Sequence, residues 1–211
     1  GIRDRDVTGF RRVLFRSPAA GEISVWVKCS LSATTGGQLY CNYGKASITT
    51  FQGGATGAAW ESSHLQVLHM NPASLGADST SHANNATPTN ATADPSGKIN
   101  GAAGLNGTNA YLTCPSGLVD DVSAGFTVSG WYNLSAVKTY ERFFDFGPSG
   151  HPDNPLDRLI GYRDNTSASI SFLICRGGSG VGQVLVASQI ALNRWTHFAF
   201  TLAAEIGRAH V

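Results

Sequence analysis

The sequence predicts an all-β protein. Three observations carry that expectation: apolar residues recur with a period of two, no long run has helical spacing, and turn signals punctuate the chain about every 8 to 15 residues. In the first alternating segment Ile23, Val25, Val27, Cys29 and Leu31 share one side, while Ser24, Trp26, Lys28 and Ser30 share the other. Leu39, Cys41 and Tyr43 repeat the pattern beyond the turn-rich residues 32–37, so these two segments are expected to form a hairpin. Further strands are expected at Leu65–Met70, Ala110–Thr113, Phe126–Leu134, Arg142–Phe146, Arg158–Arg163, Ser169–Arg176, Gln183–Ile190 and Trp195–Leu202. Asn106-Gly107, Pro115-Ser116-Gly117, Gly147-Pro148 and Gly177-Gly178-Ser179-Gly180 supply the turns. Many short strands at this spacing pack as a sandwich or jelly roll.

Composition narrows the function. The 211 residues suffice for one large β-domain or two small ones, and 42% apolar residues are enough for a core. Fifteen Lys and Arg against fourteen Asp and Glu leave no basic excess to neutralise phosphates, which argues against a nucleic-acid partner. No apolar run approaches the roughly 20 residues that span a bilayer, so no membrane span is expected. The small, flexible stretch Phe51–Ala59 reads as a linker, and Asn71–Asn100, almost without large apolar side chains, reads as a long surface loop.

Both ends are expected to be artefacts. Residues Phe10–Ser17 (FRRVLFRS) and Ile206–Val211 (IGRAHV) can be encoded by reverse-complementary DNA, and the shared string resembles a common sequencing adapter. Residues 1–17 and 205–211 are therefore set aside. The remaining Pro18–Ala204 has nine Lys and Arg and eleven Asp and Glu, so its net charge is 9 − 11 = −2.

The segment Ile23–Gly44 (ISVWVKCSLSATTGGQLYCNYG) resembles the end of the bacterial domain family DUF2341. The chain beyond the linker resembles a concanavalin A-like, laminin-G type domain, through Val67–Met70 (VLHM), Asp78-Ser79-Thr80, Asn84-Asn85-Ala86-Thr87, Gly97-Lys98-Ile99 and Leu105–Tyr111 (LNGTNAY). Phe126–Trp131 (FTVSGW), Phe143–Gly147 (FFDFG) and Trp195–Thr201 (WTHFAFT) are similar to three more strands of that family. The resemblance implies residues 18–60 as the DUF2341-like part with its linker and 61–204 as a jelly roll truncated at its C-terminal end. It also implies a non-catalytic, extracellular, cell-surface or periplasmic module for carbohydrate binding or adhesion, with a glycan or a protein as ligand. Accessory modules of polysaccharide-degrading enzymes and the periplasmic part of ExbB/TolQ-like transport proteins are the alternatives that it implies.

Candidate site residues come from the resemblance and from side-chain chemistry. Relatives in the resembled family carry an Asp-Ser-Ser-Gly-Asn-Gly-Asn type segment, which implies calcium at Asp78, Asn84 and Asn85, although Ser81 and His82 stand where a Gly turn is expected. The other reading of Asp78 is a turn acid that accepts backbone N–H groups. In the loop Gly147–Asp157, Asp153, Asn154 and Asp157, with Tyr162 nearby, offer carboxylates, amides and a ring to a saccharide. Trp131 and Trp195 are expected to cover the core, with ligand stacking as the alternative, and His197 is out of phase with Phe198, Phe200 and Leu202 and should face away from them. No catalytic residue is expected, because Glu141 and Asp145 are four apart on one strand, about 13 Å, beyond the roughly 5 to 9.5 Å that glycosidase acid pairs need. Taking residue 35 as the hairpin centre places Cys29 opposite Cys41, where a disulfide is geometrically possible; free buried thiols are the alternative. An oxidising compartment is the expected setting.

Overall fold

The computed structural model describes residues 11–16, 23–29, 34, 58–99, 101–120, 125–147, 158–163, 168–176, 179–187 and 190–203. Among these residues there is no helix, and every strand pairing is antiparallel, so the protein is all-β, as the alternation implies. The chain divides into two compact units, Gly1–Leu118 and Val119–Val211.

Among the described residues the first unit contains six strands: β1 (Arg11–Arg16), β2 (Ile23–Lys28), β3 (Thr87–Thr89), β4 (Thr92–Asp94), β5 (Ala102–Gly104) and β6 (Tyr111–Thr113). They pair two by two, β1 with β2, β3 with β6 and β4 with β5. Residues 11–16 form the strand that pairs with β2, from Arg11 opposite Lys28 to Arg16 opposite Ile23. One expectation changes here. The stretch 71–100 carries strands β3 and β4 rather than one long loop. Leu65–Met70 contributes only an isolated bridge, Leu68 to Asp78, and residues 39–43 lie outside the described residues.

Ring packing ties β2 to the segment just after residue 59. The Trp26 ring lies 5.4 Å from Trp60 and 5.2 Å from His69, Trp60 lies 5.4 Å from His64, and Lys28 pairs with Glu61 at 2.9 Å. Gly101 is required where it stands. Its φ of 149° is one that L side chains avoid, and a Cβ there would come within 2.5 Å of the Met70 carbonyl oxygen.

The second unit is a two-layer sandwich built from β7 (Gly125–Tyr132), β8 (Arg142–Phe146), β9 (Arg158–Arg163), β10 (Ile170–Arg176), β11 (Ser179–Val186) and β12 (Thr196–Ala203). One layer is the four-stranded sheet β11-β10-β9-β8 and the other is the pair β12-β7. Between them Tyr132, Ile170 and Phe172 are buried, with Leu134, Phe143, Phe144, Ile190, Phe198 and Phe200 packed around them. The Phe172 and Phe200 rings stack across the layers at 4.7 Å and 10°. Burying each such ring stabilises the fold by about 1.5 to 3 kcal/mol relative to leaving it in water.

Two local devices seat this core. The pairing of β8 with β9 shifts between Arg142 and Phe144, so two consecutive side chains, Phe143 and Phe144, both pack against the core. Gly161, opposite Phe144, leaves room for that ring, since a Cβ would lie 2.4 Å from it.

Candidate functional site

Alternation gives the four-stranded sheet two unlike faces. Phe144, Gly161, Phe172 and Val184 follow one another across the core face, so their neighbours in sequence occupy the outer one. There Arg142 stands opposite Tyr162 and Tyr162 opposite Ser171; Asp145 stands opposite Ile160, Ile160 opposite Leu173 and Leu173 opposite Gln183. Charged and amide side chains thus share a face with two hydroxyls, of which that of Ser171 is fully buried; Ile160 on the same face is buried as well.

Asp145 organises one end of it. The Arg158 guanidinium donates to both carboxylate oxygens, Nε to Oδ1 at 3.1 Å and Nη2 to Oδ2 at 2.7 Å, and Arg142 pairs with Oδ2 as well. A fork of this kind fixes geometry as well as charge. Asp145 is therefore a structural anchor. Glu141 faces a different cation, Arg163 at 3.8 Å, which is buried on the core side opposite Ile170 and donates to the Lys138 carbonyl.

Tyr162 organises the other end. Gln183 Nε2 donates to the Ser171 hydroxyl at 2.8 Å and reaches the Tyr162 hydroxyl at 3.5 Å. The Tyr140 ring, 57% exposed, lies 6.1 Å from that of Tyr162. Tyr140 adopts φ 56°, a left-handed conformation that places its ring beside the sheet from the turn before β8. The result is a pair of rings flanked by an amide, a hydroxyl and a guanidinium. Of the residues singled out for a saccharide, Tyr162 lies on this face, and Asp153, Asn154 and Asp157 lie outside the described residues.

The other candidate cluster, in the first unit, does come together, in a different role. Asp78 is buried, and its Oδ1 accepts the Val67 and Thr80 backbone N–H groups at 2.8 and 3.0 Å. Oδ2 accepts the Thr80 hydroxyl at 2.7 Å and the Asn84 N–H at 2.8 Å. Asn85 Oδ1 accepts the Asp78 N–H at 2.9 Å, and the Asn84 side-chain amide donates to the Leu65 carbonyl at 2.8 Å. Burial alone would raise the Asp78 pKa, but the donors from Val67, Thr80 and Asn84 bring it below the usual carboxylate value.

This arrangement does not fit calcium. The Asp78 lone pairs that would coordinate the cation are directed at protein donors. Of the two roles the sequence leaves open for Asp78, the hydrogen bonds are those of the turn acid.

Beside it, Ser79 Oγ lies 2.9 Å from His69 Nε2. The hydroxyl also donates to the Val67 carbonyl at 3.2 Å, and the donor and acceptor roles between Ser79 and His69 follow the imidazole tautomer. Burial lowers the His69 pKa, and the Asp78 charge partly opposes that shift.

Three cysteines among the described residues are free thiols. Cys29, Cys114 and Cys175 are free, so the Cys29–Cys41 bridge is not made in this structure; Cys41 itself lies outside the described residues. Cys114 donates to Gln66 Oε1 at 3.4 Å, and burial raises its pKa.

A family model described as the concanavalin A-like lectin/glucanases superfamily matches residues 106–211, which is 106 of the 211 residues. The chain belongs to that superfamily. No curated protein and no solved structure matches it. The match includes every strand of the sandwich, and thus both the anchored Asp145 end and the Tyr162 end of the outer face.

One tryptophan departs from its expected place. Trp131 does not cover the core; it is 42% exposed on the outer side of β7. Its phase shows why, because Trp131 is in step with Thr127 and Ser129 and out of step with Phe126 and Val128. The same rule correctly turns His197 away from Phe198 and Phe200, and it applies equally to Trp131. Trp195 is half-buried. Nothing in the sequence marks Tyr140, Ser171 or Gln183 for this site, since only the pairing register brings them to Tyr162.

Proposed function

We propose that this protein is a non-catalytic, extracellular glycan-binding module that holds saccharide on the outer face of β8–β11. The observation that supports the reading is the convergence at Tyr162: two rings 6.1 Å apart beside the Gln183 amide, with the Ser171 hydroxyl beneath it. A sugar offers an apolar C–H face to a ring and hydroxyls to amides and guanidinium groups, and such mixed surfaces are what small-ligand sites require. Gln183 is held by Ser171 before ligand arrives, so little ordering entropy opposes binding.

The function is read as binding rather than hydrolysis because Asp145 is committed to two arginines. A glycan array probed with the intact chain, followed by titration of the best ligand against Tyr162→Ala and Gln183→Ala, tests the reading. Tyr162→Ala is expected to weaken binding about tenfold or more, equivalent to about 1.4 kcal/mol. Undiminished affinity in both variants would remove this face from the function.

A further inference from the structure

The outer surface of the β7–β12 pair is a second, chemically different platform. Directly opposed residues along it are Thr127 with Thr201, Ser129 with Ala199 and Trp131 with His197. Alternate residues of the same strands, Phe198 and Phe200 among them, turn inward to the core. The indole of Trp131 is met edge-on by the His197 ring at 5.1 Å and 63°, and the Thr127 and Thr201 hydroxyls lie 3.0 Å apart. None of these six side chains is a carboxylate, an ammonium or a guanidinium. Four residues separate Trp131 from Thr127, so the row extends for about 13 Å at the usual strand rise.

A large, partly exposed aromatic ring at one end of a polar, uncharged row has a natural occupant. We infer that this face binds a neutral polysaccharide, with the Trp131 indole against the C–H face of one sugar and the hydroxyls of Thr127, Ser129 and Thr201 meeting the next along the strand. The lack of formal charge selects an uncharged chain, in contrast with the arginine-bearing surface around Asp145. The inference rests on the glycan-binding reading and extends it. Because the Phe172–Phe200 stack separates the two layers, the Tyr162 face and the Trp131 face look in opposite directions, and one module holds two glycan chains at once. Its further function is cross-linking.

Affinity electrophoresis of the intact chain in gels cast with hydroxyethylcellulose, mixed-linkage β-glucan or galactomannan reads binding, and light scattering of the same polysaccharides in solution reads cross-linking. Trp131→Ala is expected to abolish the rise in scattering and to weaken retardation severalfold, with Trp131→Phe retaining part of both. Tyr162→Ala should also abolish cross-linking while leaving a retardation that still depends on Trp131. If Trp131→Ala matches the wild-type chain in both assays, the second platform is overturned and the Tyr162 face stands. If instead Tyr162→Ala matches wild type while Trp131→Ala loses retardation, the Trp131 platform stands, but the Tyr162 face and cross-linking through it fall. A wild-type chain that neither slows in any gel nor scatters overturns both.

Discussion

The two units of this chain differ in what lies at their most buried points. In the first, a single buried carboxylate gathers donors from Val67, Thr80 and Asn84, and its strands β3 to β6 are three residues each. In the second, phenylalanine rings from both layers fill the space between strands of five to eight residues. A carboxylate centre is directional, charged and sensitive to acid. An aromatic core is indifferent to pH and tolerates polar variation on its outer faces, which is where a binding surface can be placed without disturbing the fold.

That contrast can be broken from either side. Phe172→Ala is expected to have the largest effect, about 3 to 5 kcal/mol, because it removes a ring stacked on Phe200 and leaves a cavity. Unit-resolved hydrogen exchange on the intact chain should show the loss in β7–β12. Asp78→Ala comes next, about 3 kcal/mol, since it strands buried N–H groups that now have a charged acceptor. Exchange should then quicken between residues 65 and 86.

Acid sharpens the comparison. The folded pKa of Asp78 lies below its ordinary value, so its contribution is fully present above the unfolded pKa of about 3.9 and is lost as pH falls through the lower, folded one. Protection factors across residues 65–86, corrected for intrinsic exchange, should therefore fall below about pH 4, and Asp78→Asn should remove that dependence. A smaller change is expected from Gly161→Ala, about 1 to 3 kcal/mol, because the added methyl meets the Phe144 ring. Trp131→Ala should alter thermal stability least, within about 0.5 kcal/mol, since that ring already faces water.

The sandwich was the more legible region. Arg142–Phe146 and Arg158–Arg163 are strands with the bounds that alternation implies, and the strands at 125–132, 170–176 and 196–203 differ from expectation by one or two residues at their ends. Large apolar residues on every second position are what make such strands visible. The last hairpin strand starts earlier than expected, at Ser179, because Gly180 and Gly182 pair with β10 although neither has a side chain to mark a face. The strands at 87–89, 92–94 and 102–104 are built from Thr, Pro, Ala, Asp and Gly, so no hydrophobic rhythm announces them. The candidate site divides in the same way. Tyr162 could be chosen from composition, but the Gln183–Ser171 bond depends on which strands pair and in what register. Asp78, Asn84 and Asn85 stand out as a group in the sequence, and only their hydrogen bonds distinguish a turn acid from a metal ligand.

The most direct test of the glycan-binding account is hydrogen exchange of the intact chain with and without the strongest ligand from the array. Slower exchange over β9 and β11, with no change across residues 65–86, is the predicted result. Protection centred on the Asp78 cluster, with β9 and β11 unaltered, would contradict it and move recognition to the first unit.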